Sequence, residues 1–434
     1  MKVLLTGATG YIGKRLLPIL VGQGHEVVCL VRDASRMPIH PDLQAKVSVL
    51  EGDLLKPDTL NFSQEIDACY YLVHSMSSSK DYVSLEKQSA NNFIEALKPT
   101  QCQQIIYLSG IANSNELSEH LNSRLQVEKI LSSSSIPLTT LRAGIIIGSG
   151  SASFEIIRDL VEKLPIMVTP KWLNTKCQPI GIRDVLSFLI QSLHHTKVYN
   201  QSIDIGGPDV LSYKEMLLGY AKARGLGRRI FTLPVMTPRL SSYWLYFVTS
   251  TSYKLAVALV NSMKIEVVCE SEEGMKNYDI QPLSYAEALE ATLGKIDNQE
   301  VVSSWKDSFV SGVAQFKTAD FLEVPSYGCF TDKRVAQCED PKASLEKIWR
   351  IGGDQGWYAY DFLWRIRGIF DKFIGGVGLR RGRTHVSHLE PGDALDFWRV
   401  LIADKEGGRL LLFAEMKLPG EAWLEFRLQG NRLV

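Results

Sequence analysis

A short apolar run, Met1-Lys2-Val3-Leu4-Leu5, leads directly into Thr6-Gly7-Ala8-Thr9-Gly10-Tyr11-Ile12-Gly13, and a helical pattern from Lys14 to Leu20 follows at once. Strand, glycine turn and helix in that order constrain the fold more than any other feature of the chain. A strand that ends on glycines lets the backbone pass within contact distance of a pyrophosphate. The free N–H groups and the positive dipole end of the next helix then face its charge. On this reading Gly7 makes the tight turn, Gly10 permits the close approach and Gly13 lets the helix pack on the strand, with Thr6, Thr9, Tyr11 and Ile12 completing the loop. The spacing of three between glycines differs from the G-x-G-x-x-G fingerprint, and a glycine triplet also makes an ordinary turn. Its place between strand and helix favours the phosphate cradle.

Apolar strand-like runs alternate with helical stretches through the first half: Val3–Leu5, Glu26–Val31, Val47–Leu50, Ala68–Val73, Gln104–Leu108 and Leu138–Leu141. That rhythm predicts an α/β fold, a Rossmann-like doubly wound parallel sheet. Continuous runs such as Ile105-Ile106-Tyr107-Leu108 suit strands covered on both faces. From about Gly144 to Leu293 the pattern loosens into Gly- and Pro-punctuated segments, among them Gly206-Gly207-Pro208 and Pro234 to Pro238, of the kind that builds a substrate cleft. After about Pro325 the character changes. An aromatic stretch, Ile348 to Phe373, and a basic segment, Gly375 to Arg383, precede Asp396–Ala403 and Arg409–Lys417, which flank the hairpin signal Asp404-Lys405-Glu406-Gly407-Gly408; Ala422–Leu428 follows. This predicts a C-terminal α+β domain built on an antiparallel meander. The expected domains are 1–295 with the cleft inserts, a linker over 296–324, and 325–434. The last strand-like run ends just before Val434, so the C-terminal domain reads as truncated.

At 434 residues the chain is long enough for two or three cores, and two domains are expected. Lys plus Arg balance Asp plus Glu, which argues against a nucleic-acid or anionic-membrane surface and means the substrate need not be strongly charged; a small apolar substrate or ligand is the expected partner. The oligomeric state is not legible. Seven scattered cysteines without a C-x-x-C pair suit a reducing compartment and no metal site. A core strand at the N-terminus argues against a secretory leader, and the cytoplasm is the expected compartment. Tyr243 to Val260 carries Lys254 and several Ser and Thr, so it is read as a soluble helix or hairpin and no stable membrane insertion is expected.

In a fold of this kind an acidic residue ending the second strand accepts from the adenosine ribose, whereas an arginine there accommodates a 2′-phosphate. The position reads Val31-Arg32-Asp33. Arg32 offers a guanidinium fork suited to phosphate, and Arg15 on the first helix is a candidate second charge. NADP is therefore expected over NAD, with Asp33 the residue that speaks for NAD. Asp53 in Glu51-Gly52-Asp53-Leu54 either meets the adenine or caps the helix starting near Lys56-Pro57.

Thr6 to Gly13, Gly52-Asp53-Leu54, Tyr107-Leu108-Ser109-Gly110 and Leu141-Arg142-Ala143-Gly144-Ile145-Ile146-Ile147-Gly148 together resemble the short-chain dehydrogenase/reductase superfamily in its extended or atypical, NmrA-like branch. The resemblance spans roughly the first 290 residues. The last 110 or so are similar to the DUF2867 domain that accompanies such reductase-like domains, and helix-grip relatives of it hold apolar ligands. The resemblance implies an NAD(P)-dependent oxidoreductase in which a Tyr made acidic by a Lys one turn later donates the proton. No tyrosine here has lysine four residues on. His120-Leu121-Asn122-Ser123-Arg124-Leu125-Gln126-Val127-Glu128 matches the family's helix in register, which puts His120 at the tyrosine position, Arg124 at the lysine position and Ser109 at that of the catalytic serine. Either His120 is the acid and Arg124 holds the nicotinamide ribose, or the site binds NADPH without ordinary carbonyl reduction, as in a sensor or assembly factor. His74-Ser75 after the fourth strand and Ala143-Gly144-Ile145 after the sixth are further cofactor contacts by position, with local turns the alternative. Gln178 to Val185 is read as structural, with Asp184 a helix cap. His194-His195 has no partner at ligand spacing. Trp349, Trp357, Tyr358, Tyr360, Phe362 and Trp364 are read as core.

Overall fold

A computed structural model describes residues 1–34, 37, 39, 41–74, 82–112, 119–233, 263–297, 330–373, 388–389, 393–416 and 422–434. The chain forms two compact units, Met1–Ser308 and Phe309–Val434.

The first unit is built on β1 (Lys2–Thr6), α1 (Tyr11–Gly22), β2 (Glu26–Val31), β3 (Val47–Glu51), β4 (Ala68–Tyr71), α2 (Tyr82–Leu97), β5 (Ile105–Gly110), α3 (Glu119–Ser132) and β6 (Leu138–Ala143). The sheet runs β3-β2-β1-β4-β5-β6, with a seventh strand, Gln201–Ile205, beside β6, and every pairing is parallel. The side-chain period of two sorts each strand between two cores. Val3, Leu5 and Ile106 pack with Leu16 and Leu20 of α1 and with Phe188 of the helix Ile182–Ser192. Leu4, Ile105 and Tyr107 pack with Phe93 and Leu97 of α2 and Val127 and Leu131 of α3. The doubly wound order leaves a crevice at the carboxyl ends of β1 and β4, where the winding direction reverses.

The loosened part of the sequence forms helices Ala152–Lys163, Tyr213–Ala223 and Tyr285–Asp297 over a third core containing Phe154, Met216, Tyr220 and Leu289. The last helix runs past residue 295. Gln178 is structural: its Nε2 donates to Gly207 O at 2.8 Å and its Oε1 accepts from Cys269 N at 3.0 Å. Asp184 is not a cap. The N-cap of its helix is Gly181, and Asp184, 1% exposed, accepts instead from Leu283 N at 3.0 Å, tying a distant loop to the first turn.

The second unit is a six-stranded antiparallel sheet in which Trp398–Asp404, Arg409–Ala414 and Trp423–Gln429 form the long meander. The expected hairpin is present; Asp404 Oδ1 accepts from Gly407 N at 2.8 Å and Gly408 takes φ +68°. Helices Pro341–Ile348 and Asp361–Phe373 accompany the sheet. Trp349 is core, and Trp357 and Trp364 lie against Phe397 at ring distances of 6.3 and 5.3 Å. The core assignment fails for Tyr358, Tyr360 and Phe362, which are 56%, 71% and 60% exposed. On the helix Asp361–Phe373, Phe362, Leu363, Ile366, Ile369 and Phe370 share one face and are exposed. Pro234 to Pro238, Tyr243 to Val260 and Gly375 to Arg383 lie outside the described residues. Among the described residues no helix is long and apolar enough to cross a membrane.

Candidate functional site

The glycine loop sits at the reversal between β1 and β4. Thr6 is fully buried; its Oγ1 donates to Tyr70 O at 3.0 Å and accepts from Leu72 N at 3.1 Å, locking the two strands together. Gly7 takes φ +68°, and a Cβ there would stand 2.7 Å from Leu72 O. It therefore carries both the turn and the close packing. Gly10 is the N-cap of α1, and its N–H donates to Gly7 O at 2.9 Å. At Gly13 a Cβ would overlap the Gly7 carbonyl and lie 2.7 Å from Ala8 Cα, so the helix start rests on the loop. No side chain caps α1 and no acidic residue stands in its first turn. The first N–H groups of a helix lack intrahelical acceptors, so this end is built for an anion.

Arg15 does not supply a second charge for a phosphate. Its guanidinium lies 4.2 Å from the Tyr11 ring centre and donates to Ser149 O at 2.8 Å, because the position faces inward and is 9% exposed. The Tyr11 phenol is turned against Gly148, and burial pushes its acidity down. Ile12 packs at the edge of the α1-side core. Thr9 is half-buried.

Arg32 follows β2 and its side chain reaches the surface; desolvation by the surrounding protein lowers its pKa from the ordinary value, against the opposing pull of the Asp53 carboxylate. Asp53 is not a helix cap. Its Oδ1 accepts from Leu55 N at 3.0 Å, its N–H donates to Thr59 Oγ1 at 2.9 Å, and the short 3-10 turn Pro57–Thr59 is preceded by Lys56 as N-cap. Leu54 is buried, and its carbonyl accepts from Asn92 Nδ2 at 2.7 Å.

Ser109 lies near the carboxyl end of β5 on the same face as Tyr107, toward α2 and α3. It is 3% exposed, and its Oγ, near the Tyr107 hydroxyl, makes no hydrogen bond of good geometry among the described residues. Arg124 of α3 crosses this strand end, its Nη1 donating to Leu108 O at 3.3 Å. The Tyr107 hydroxyl, pushed up to about 12 by burial, donates to Arg124 O at 3.4 Å. Beside them His74 Nδ1 stands 2.5 Å from Glu86 Oε1, while Glu86 Oε2 accepts from Ser123 Oγ. Burial, then the Arg124 charge, hold the His74 imidazole below its usual range against the pull of Glu86. Glu86 and Ser123 are absent from the set read from the sequence. Ser123 sits in the matched helix, and Glu86 carries no local signal, being a buried carboxylate on α2 whose partners lie on other elements.

Gly144 is explained by packing: a Cβ would lie 3.1 Å from Gln178 O and 3.2 Å from Val267 Cγ1. Ala143 and Ile145 are buried, and Ile145 O accepts from Ile180 N at 2.9 Å. Glu128 binds Arg142 at 2.7 Å, joining α3 to β6. Ser75 lies outside the described residues, as does the side chain of His120, whose backbone is in the first turn of α3.

Residues 7–161 match the NAD(P)H-binding family model, and residues 329–432 match that of a protein of unknown function, DUF2867. The chain thus joins an NAD(P)H-binding stretch in its N-terminal part to a DUF2867 stretch in its C-terminal part. It is 23% identical over 292 residues to the Photosystem II assembly factor Ycf39 of Guillardia theta, covering 65% of this chain and 90% of that protein. To the chloroplastic divinyl chlorophyllide a 8-vinyl-reductase of Arabidopsis thaliana it is 23% identical over 226 residues, 48% of this chain and 54% of the reductase. In fold it resembles the NADPH-dependent quinone oxidoreductase QOR2 of Escherichia coli complexed with NADPH, with TM-score 0.54, 16% identity and coverage of 67% of this chain and 99% of that one. UDP-glucuronic acid 4-epimerase of Bacillus cereus, in complex with UDP-glucuronic acid and NAD, aligns with TM-score 0.52 and 19% identity over 69% of this chain and 99% of that one.

Proposed function

We propose that this protein is an NADPH-dependent oxidoreductase acting on an uncharged, apolar carbonyl or quinone-like compound. The observation that carries the reading is the buried Ser109 hydroxyl at the carboxyl end of β5, which has the Tyr107 hydroxyl as a neighbour but no hydrogen bond of good geometry, in a fold whose glycine loop and uncapped helix suit a diphosphate. A buried hydroxyl without a partner is costly unless a ligand completes it. A bound nicotinamide supplies hydride chemistry. Gly7, Gly10 and the first turn of α1 hold the diphosphate, and Arg32 meets the 2′-phosphate. Ser109 donates a hydrogen bond to the substrate oxygen as negative charge develops there. His120 donates the proton and Arg124 holds a ribose, with the Glu86-bound His74 near Arg124. The names of two similar proteins, a divinyl chlorophyllide a 8-vinyl-reductase and a quinone oxidoreductase, support reductase chemistry.

The test is calorimetry with NADPH and NADH, followed by turnover against a panel of quinones and aldehydes. NADPH binding with turnover that His120→Ala abolishes, at unchanged NADPH affinity, is the expected result. Binding with no turnover on any compound would overturn the oxidoreductase reading and favour a dinucleotide-sensing assembly factor. Two observations support that second reading: the missing Tyr–Lys pair, and the similarity to an assembly factor over 90% of its length.

A further inference from the structure

Two cysteines that lie far apart in the sequence meet at the amino end of the sheet, away from the crevice. Cys69 is the second residue of β4 and is fully buried; Cys102 precedes β5 and is 9% exposed. Their Sγ atoms are 3.1 Å apart. The backbone on both sides is fixed: Cys69 N donates to Gln104 O at 2.9 Å, Gln103 N to Asp67 O at 2.8 Å and Gln101 N to Gln64 O at 3.0 Å. A disulfide needs an S–S distance of ~2.05 Å. The sulfurs are therefore about 1 Å from bonding distance.

Access is also built in. Cys102 lines a surface cleft of about 420 Å³ formed by the end of α2, including Asn91 and Lys98, and by Ser133, Ser135 and Pro137. A molecule of peroxide size fits there. The two sulfurs are unequal. The hydrogen bond from Cys69 holds the Cys102 thiol below its usual range, while burial pushes Cys69 well above it. Cys29 and Cys177 are buried without a second cysteine, and burial pushes both up to about 12. The thiolate is the nucleophile, so Cys102, the cysteine that lines the cleft, is the reactive one.

We propose that Cys69 and Cys102 form a thiol–disulfide site, oxidised in the folded protein by a small hydroperoxide that enters through the cleft. The Cys102 thiolate attacks the peroxide, forming an S–O bond and breaking the O–O bond; the departing alkoxide or hydroxide takes up a proton. The Cys69 sulfur then attacks Cys102, an S–S bond forms, and the displaced hydroxide leaves as water with the Cys69 proton. Two thiols lose two electrons and two protons, and the hydroperoxide is reduced to an alcohol and water. The product covalently joins β4 to the segment entering β5. This proposal stands independently of the dinucleotide reading.

The experiment treats the folded, full-length protein with hydrogen peroxide, blocks remaining thiols with N-ethylmaleimide and maps unreduced peptides by mass. Expected is a Cys69–Cys102 cross-linked peptide lighter by two hydrogens, reversed by dithiothreitol, forming at least tenfold faster than modification of Cys29 or Cys177. In Cys69→Ser the reaction stops at the sulfenic acid, so dimedone labels Cys102 at least tenfold more than in the wild type. Cys69→Ala serves the same purpose should the serine variant not fold. A cross-link that appears only in urea, dimedone labelling of Cys102 in the wild type without cross-linking, or oxidation no faster than at Cys29 would each overturn the proposal.

Discussion

Gly7 joins two demands in one residue. Its φ of +68° is strained for any other side chain, and an added Cβ would meet the backbone of Leu72 at 2.7 Å, an atom that cannot swing away. Gly7→Ala is expected to cost about 1–3 kcal/mol in urea denaturation and to weaken dinucleotide binding at least tenfold by calorimetry. Arg32 concerns preference rather than fold, because it is exposed. Arg32→Ala should weaken NADPH by ~1.5–3 kcal/mol and NADH far less, the difference being one charge-assisted hydrogen bond. Equal losses for the two would remove Arg32 from the phosphate site. His74 gives a pH signature. Its folded-state pKa lies below the ordinary 6.5, so its contribution to stability is complete above that value and is lost as pH falls through the lower folded value. Glu86 pulls against the depression, so Glu86→Gln should move the His74 imidazole resonance to titrate at still lower pH in NMR. An unmoved titration would show that Glu86 is not its partner.

The helix Tyr213–Ala223 shows what an element needs at its end. Ser212 Oγ accepts from Glu215 N at 3.2 Å, and Glu215 Oε2 accepts from Ser212 N at 2.7 Å, a reciprocal cap. The Ser212 N–H and hydroxyl, with Lys176, pull the Glu215 carboxyl from 4.5 to about 2. A depressed carboxylate stabilises the fold above its unfolded value, and that stabilisation disappears as pH falls from about 4.5 toward 2. Ser212→Ala should cost about 1 kcal/mol at neutral pH and less near pH 2, read from thermal melts across pH. Such local devices are legible in a sequence, as are strands buried on both faces: the runs Glu26–Val31 and Ile105-Ile106-Tyr107-Leu108 fall on β2 and β5. The edge strand Gln201–Ile205 is not legible. Gln201 and Ser202 are exposed, Asp204 breaks the apolar run, and only pairing with β6 makes it a strand. The glycine loop was readable because turn, cap and close packing each demand glycine there. The His74–Glu86–Ser123 cluster was not, because three polar residues on three elements acquire meaning only when the fold brings them together. Arg15 was misread for the same reason: helix position alone does not say that a guanidinium turns toward Ser149.

At the scale of the whole molecule the chain holds separate cores, and burial, not residue type, decides what each aromatic contributes. In the first unit the glycine loop, Arg32, Ser109 and Arg124 all stand on one doubly wound sheet and its helices, so the dinucleotide reading draws on that unit alone. In the second unit Trp349 is 1% exposed among Leu395, Phe397 and Leu412, whereas Ile366 and Phe370 are 46% and 61% exposed although they belong to the same aromatic-rich stretch. Deleting a buried indole removes its transfer energy and leaves a cavity, about 3–5 kcal/mol, while an exposed apolar side chain contributes within roughly 0.5 kcal/mol. Trp349→Ala should therefore lower the unfolding free energy of the C-terminal unit by that larger amount, read from urea unfolding followed by tryptophan fluorescence. The double substitution of Ile366 and Phe370 by Ser should leave the midpoint nearly unchanged and reduce binding of a hydrophobic dye, because an exposed apolar face is removed. A large loss of stability in the double variant would mean that these side chains are covered in solution.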